Sequence, residues 1–138
     1  MSVRYLEEAG TSPDHIVSLY DGPNACFLVL SAEGRVSDLT LLSLSAVDAT
    51  ETGAVIFDAQ PYVFDRDEDM PSVLTPGSSL GVQLLFPGDL PSLGISFVDG
   101  SGQYRRFAIE VSGKDGALSL READPKETAF ILPGPVSR

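Results

Sequence analysis

The chain has 138 residues, of which 43% are hydrophobic and 21% charged, a balance that fits one globular domain over 1–138 and excludes a disordered chain. Its formal net charge of −11 sits almost wholly in residues 1–99, where fifteen acids face only Arg4, Arg35 and Arg66, while residues 100–138 hold five acids and six bases. Such a field repels phosphate backbones and anionic lipid, so neither nucleic acid nor a membrane surface is an expected partner.

The chain opens with "MSVRYLEEAG", which has no apolar segment of the kind a secretory leader carries. No run approaches the roughly 18 apolar residues of a membrane helix, and a cytoplasmic location is the expectation. "VRYLEEA" (3–9) reads as one short N-terminal helix at most, ended by Gly10 and Ser12-Pro13. Residues 1–13 and 133–138 read as loosely ordered termini.

Short apolar runs rich in Val, Ile, Leu and Phe follow at "HIVSLY" (15–20), "ACFLVLS" (25–31), "DLTLLSLS" (38–45) and "AVIFDAQ" (54–60). Further runs are "YVFD" (62–65), "SLGVQLLF" (79–86), "LGISFVD" (93–99), "YRRFAIEVS" (104–112), "ALSLRE" (117–122) and a short "TAFIL" (128–132). Pro, Gly, Asn or Asp separates nearly all of them. "SLSAVDATET" (43–52) has a weak helical pattern, poor because of its Thr and Asp content. Cys26 is the single cysteine, which excludes an intrachain disulfide and reads as a small buried hydrophobe.

The stretch 94–120 carries two glycine-rich breaks, "DGSG" and "GKDG". Side chains alternate between faces along a strand, so Leu93, Ile95 and Phe97 share one face and Ser96 the other. Phe107, Ile109 and Val111 oppose Arg106, Ala108 and Glu110, and Leu118 and Leu120 alternate with Ser119 and Arg121. This pattern predicts a three-stranded antiparallel meander packed on a core from one side. Each break is followed by a strand, whereas a phosphate cradle leads into a helix, so both are read as turns.

Pro76-Gly77 turns the chain ahead of "SSLGVQLLF", and Pro87 and Pro91 flank "GDL" behind it. This layout resembles that of immunoglobulin-like sandwiches, although a Cys…Trp…Cys signature is absent because the chain has one Cys and no Trp. The expected fold is all-β, an immunoglobulin-like antiparallel β-sandwich of about eight or nine strands.

Four constellations bear on chemistry. "GSSLG" fits the G-x-S-x-G pattern with Ser79 as nucleophile, but that motif needs a strand-to-helix turn and a histidine after the serine. The only histidine, His15, precedes it, and a strand-like run follows, so Ser79 reads as a turn residue and a hydrolase has no recognisable site. His15 reads as a polar residue at a strand start; its neighbour Asp14 would point to the opposite face. One His and one Cys exclude a zinc site built from such ligands.

"FDRDED" (64–69) is the densest charge cluster. Asp58, Asp65, Asp67 and Asp69, joined by Asp89 or Asp99, would suit a calcium site in a sandwich loop, similar to that of C2 domains. Met70 and Pro76 stand where an EF-hand needs Gly and Glu, and Arg66 lies inside the cluster. The cluster therefore reads first as a solvated acidic loop and next as an acidic contact surface, and no resident metal or cofactor is expected. Tyr104 and Arg106 share the polar face of their strand and read as a surface stack first and an interface pair second, both types being enriched at binding hot spots.

The sequence thus points to a non-enzymatic interaction module whose surface at Asp65, Asp67, Glu68, Asp69, Tyr104 and Arg106 engages a basic protein partner. An accessory or immunity-type protein would carry such a surface. Self-association through an edge strand is a further expectation.

Overall fold

The structure, a computed structural model, describes residues 1–6, 10, 12–20, 22–23, 25–51, 53–64, 69–85, 91–111 and 116–132. All ten elements among these residues are strands: β1 (Ser2–Tyr5), β2 (His15–Ser18), β3 (Ala25–Ser31), β4 (Ser37–Ala49) and β5 (Val55–Pro61), then β6 (Ser79–Leu85), β7 (Leu93–Val98), β8 (Tyr104–Val111), β9 (Leu118–Glu122) and β10 (Phe130–Leu132).

They form two layers. The smaller sheet has the order β1-β3-β6-β2 and the larger β10-β5-β4-β7-β8-β9. All pairings are antiparallel except β2 on β6, which is parallel with His15 opposite Leu80. The meander read from residues 93–122 is present as β7-β8-β9, and "DGSG" is its first turn, with Gly102 at φ 85°.

Three expectations are corrected. Residues 3–5 are strand rather than helix: β1 pairs with β3, setting Val3 against Leu30 and Tyr5 against Leu28, and Val3 and Tyr5 pack on the main core. The helix-forming "LEEA" tail contributes Leu6 and then runs outside the described residues. The count among the described residues is ten strands, not eight or nine, and the described part of "YVFD" (62–64) is not one of them. β4 runs to Ala49, past the end of the strand expected at 38–45, and its extension pairs with β5 where the sequence carries only a poor helical pattern.

The main core lies between the sheets. Leu28, Leu30, Leu80 and Val82 of the small sheet meet Leu41, Ile95 and Ile109 of the large one, all under 2% exposed. Burying each such side chain stabilises the fold by about 1.5–3 kcal/mol. β3 reads as a continuous apolar run because both its faces are covered, with Leu28, Val29 and Leu30 buried in succession.

The large sheet also buries part of its other face, where Leu42, Leu44, Phe57, Ala108, Ala123, Phe130 and Leu132 form a second cluster. That cluster exists because the sheet curls. The segment after β9 reaches β10, and the Asp124 amide donates to the Ile131 carbonyl at 2.9 Å. The layer is thereby a half-barrel with an apolar concave floor.

Candidate functional site

The concave face of the half-barrel opens as a cleft of about 640 Å³, within the roughly 300–1,000 Å³ of ligand clefts. Its floor is apolar, from Leu42, Phe57 and Phe130, and its polar groups arrive from four strands. Asp38 and Thr40 come from β4, Asp58 from β5, Ser96 from β7, and Tyr104 and Arg106 from β8.

Asp38 owes its place to a distortion. The β4–β7 register shifts between Ser37 and Thr40, and Asp38 adopts φ 51°, the left-handed region that Asp tolerates better than most residues. A bulge bends its strand and re-aims a side chain, here an exposed carboxylate at the cleft. Asp58 is exposed across the cleft and accepts a hydrogen bond from Gln60 Nε2 at 2.8 Å.

Arg106 closes one end. Its Nη1 donates to the Thr128 carbonyl (3.1 Å), and Nη2 donates to the carbonyls of Asp124 (3.1 Å) and Glu127 (2.8 Å). The guanidinium carbon lies 5.6 Å from the Phe130 ring centroid. A guanidinium is suited to this, since its fork of five N–H donors can serve several carbonyls of one loop at once. Arg106 thus fastens the β9–β10 connection onto the half-barrel while its charge stays at the cleft.

Ser96 pairs directly with Arg106 across β7 and β8 and is 4% exposed. No hydrogen bond is found for its hydroxyl among the described residues. No side-chain polar atom among them is both sealed and unpaired, so the hydroxyl's remaining surface opens onto the cleft.

A second cleft of about 340 Å³ lies alongside, walled by Arg105, Glu122, Pro125 and Glu127. Tyr104, Arg106 and Thr128 line both clefts, and Tyr104 is 58% exposed. Tyr104 and Arg106 therefore form the ridge between two concave surfaces. On the far wall Arg105 holds Glu122 through two bonds of 3.0 Å and lies 5.0 Å from the Phe107 centroid. Those bonds push the already high Arg105 pKa further up.

The acidic cluster behaves differently. Asp65, Asp67 and Glu68 lie outside the described residues. Asp69 is described, exposed, and 2.9 Å through Oδ1 from His15 Nδ1, which donates to it. Asp99 is engaged in the β7–β8 turn, where its Oδ1 accepts from the Ser101 hydroxyl (2.7 Å) and the Ser101 and Gln103 amides (both 3.0 Å). Those bonds, the Ser101 hydroxyl's first, lower its pKa below the usual 3.8. Among the described residues no group of three His, Cys, Asp or Glu side chains is placed to hold a metal.

Ser79 opens β6 and donates from its hydroxyl to Asp14 at 3.4 Å, while His15 turns to Asp69. Cys26 is half-buried, and burial raises its thiol pKa, in keeping with a packing role. Among the described residues no helix is long and apolar enough to cross a membrane.

Sequence reasoning placed Tyr104 and Arg106 on one face but did not find the cleft beside them. Phe57, Ser96 and Phe130 carry no local signal for it, since they meet only when the sheet curls. Comparison with protein-family models, with curated proteins and with solved structures gave no match.

Proposed function

We propose that the chain is a non-enzymatic interaction module of the cytoplasm, of the accessory or immunity type, whose acidic surface engages a basic protein partner. The observation that carries this reading is the position of Tyr104, an exposed aromatic on a ridge between two concave surfaces. The outer walls of those surfaces carry Asp38 and Asp58 on one side and Glu122 and Glu127 on the other. A rigid aromatic anchor flanked by carboxylates suits a partner that presents Lys or Arg around an apolar pocket. The charge of Asp65, Asp67 and Glu68 belongs to the same acidic half of the sequence and adds long-range attraction.

The immunoglobulin-like reading of the architecture is supported by turn layout and two-sheet packing. Six strands in one layer and a parallel pair in the other depart from the antiparallel layers of that fold.

The test is affinity capture on the immobilised full chain at low and high salt, comparing wild type with Tyr104→Ala and with the Asp38→Asn/Asp58→Asn double variant. Basic proteins should be retained at low salt and released as salt rises. Tyr104→Ala should weaken retention about ten-fold. Captured proteins that are mainly acidic, or retention indifferent to salt and to Tyr104→Ala, would overturn the reading.

A further inference from the structure

The larger cleft has an unbalanced charge. Its lining holds the carboxylates of Asp38 and Asp58 and one cation, Arg106. Neither carboxylate forms an ion pair with a described residue, and Arg106 spends its donors on three backbone carbonyls rather than on either acid. One negative charge is therefore left uncompensated at a partly enclosed surface, where an opposite charge counts for more than it does in open water.

The floor narrows the choice of cation. Phe57, Tyr104 and Phe130 bring aromatic surface to the cleft, and the Ser96 hydroxyl lines it without a partner among the described residues. A lysine ammonium is strongly hydrated and compact. A guanidinium is planar, weakly hydrated, stacks on rings and offers donors in a fork. The cleft already illustrates the compatibility, since Arg106 lies over Phe130 within it.

We infer that this cleft is an arginine-recognition subsite: a partner's arginine side chain inserts with its guanidinium toward Asp38 and Asp58 and donates to the Ser96 hydroxyl oxygen. The inference rests on the interaction reading above and names the chemistry of the partner residue it takes. Entry of the second guanidinium brings the three charged groups now present to neutrality, which offsets its repulsion from Arg106. The native carbonyl contacts of Arg106 stay as they are.

The experiment is a nuclear magnetic resonance titration of the isotope-labelled full chain with N-acetyl-arginine amide, N-acetyl-lysine amide and the neutral isostere N-acetyl-citrulline amide. Arginine amide should give saturable shifts clustered at Thr40, Asp58 and Ser96, lysine amide weaker ones, and citrulline amide none. Asp58→Asn should weaken the arginine response about five-fold, and Ser96→Ala about ten-fold. The unchanged spectrum of either variant away from the cleft serves as the folding control.

An equal response to citrulline, or shifts spread evenly over Glu33, Asp48 and Glu51, would overturn the subsite. So would loss of partner capture in the Asp38→Asn/Asp58→Asn variant without any arginine response in wild type, though the interaction reading would survive. Arginine binding at the cleft with partner capture untouched by that variant would overturn the insertion of a partner's arginine there, and the interaction reading would then stand or fall on salt and Tyr104→Ala alone.

Discussion

The Ser79 amide donates to the Asp14 carboxylate at 2.9 Å, and the Asp14 amide donates to Ser79 Oγ at 3.2 Å. This reciprocal pair locks the start of the parallel β2–β6 ladder. Parallel pairing has no hairpin to fix its register, so a side-chain clamp at its first rung does that work. Asp14→Ala should cost about 1 kcal/mol in urea unfolding, the discounted worth of an exposed charge-assisted bond. Ser79→Ala should cost less, because it removes the hydroxyl and leaves the amide that Asp14 accepts from.

Gly81 lies in the middle of β6 under two rings. A Cβ there would fall 2.7 Å from Phe27 Cε1 and 2.7 Å from Pro13 Cγ. Gly81→Ala should destabilise the fold by about 1–3 kcal/mol through overpacking. In a Phe27→Ala background the penalty should shrink, and a double-mutant cycle in denaturant reads the coupling directly.

Arg106 fastens the β9–β10 connection through three carbonyls and one ring. Arg106→Ala should cost about 2–3 kcal/mol, since it removes charged donors from partly buried acceptors. Arg106→Lys should recover less than half, because an ammonium cannot present a planar fork. Hydrogen exchange at the Asp124 amide, whose acceptor is Ile131, should quicken in both variants before the main-core amides change.

Asp99 gives the turn a pH dependence of defined sign. Its folded pKa lies below the ordinary value, through the Ser101 hydroxyl first and the Gln103 amide next. The folded form therefore binds its proton less readily than the unfolded form. Its contribution is complete above the unfolded carboxylate range and is lost as pH falls through the lower folded pKa. A carboxyl titration should place the Asp99 midpoint below 3.8. Asp99→Asn should flatten that part of the acid limb of the stability curve.

The layers were legible where one rule sufficed. β3 matches its sequence boundaries residue for residue, and β7 to β9 follow from period-two alternation and glycine turns. Alternation failed to announce the half-barrel because Ala108, on the face read as polar, is fully buried by Leu42, Leu44 and Phe130 around it. The doubled apolar pattern of β4, with Leu39 and Leu41 on one side and Leu42 and Leu44 on the other, is the sequence trace of that second burial. β1 was misread because "LEEA" favours a helix, while its neighbours Val3 and Tyr5 gain more by packing on the core. The Tyr104–Arg106 ridge was legible from parity, but Asp38 reaches the cleft through a backbone bulge that no periodicity encodes.

The rung from Asp124 to Ile131 stitches the two margins of the larger layer, and the Tyr5 hydroxyl ties β1 to Gly116 at 2.9 Å. Among the described residues, what stays open is β2, four residues long, with Ile16 half exposed on it. A second copy joining there would use up the same margin on both molecules, so self-association along this route halts at a two-fold pair and cannot propagate into a fibre.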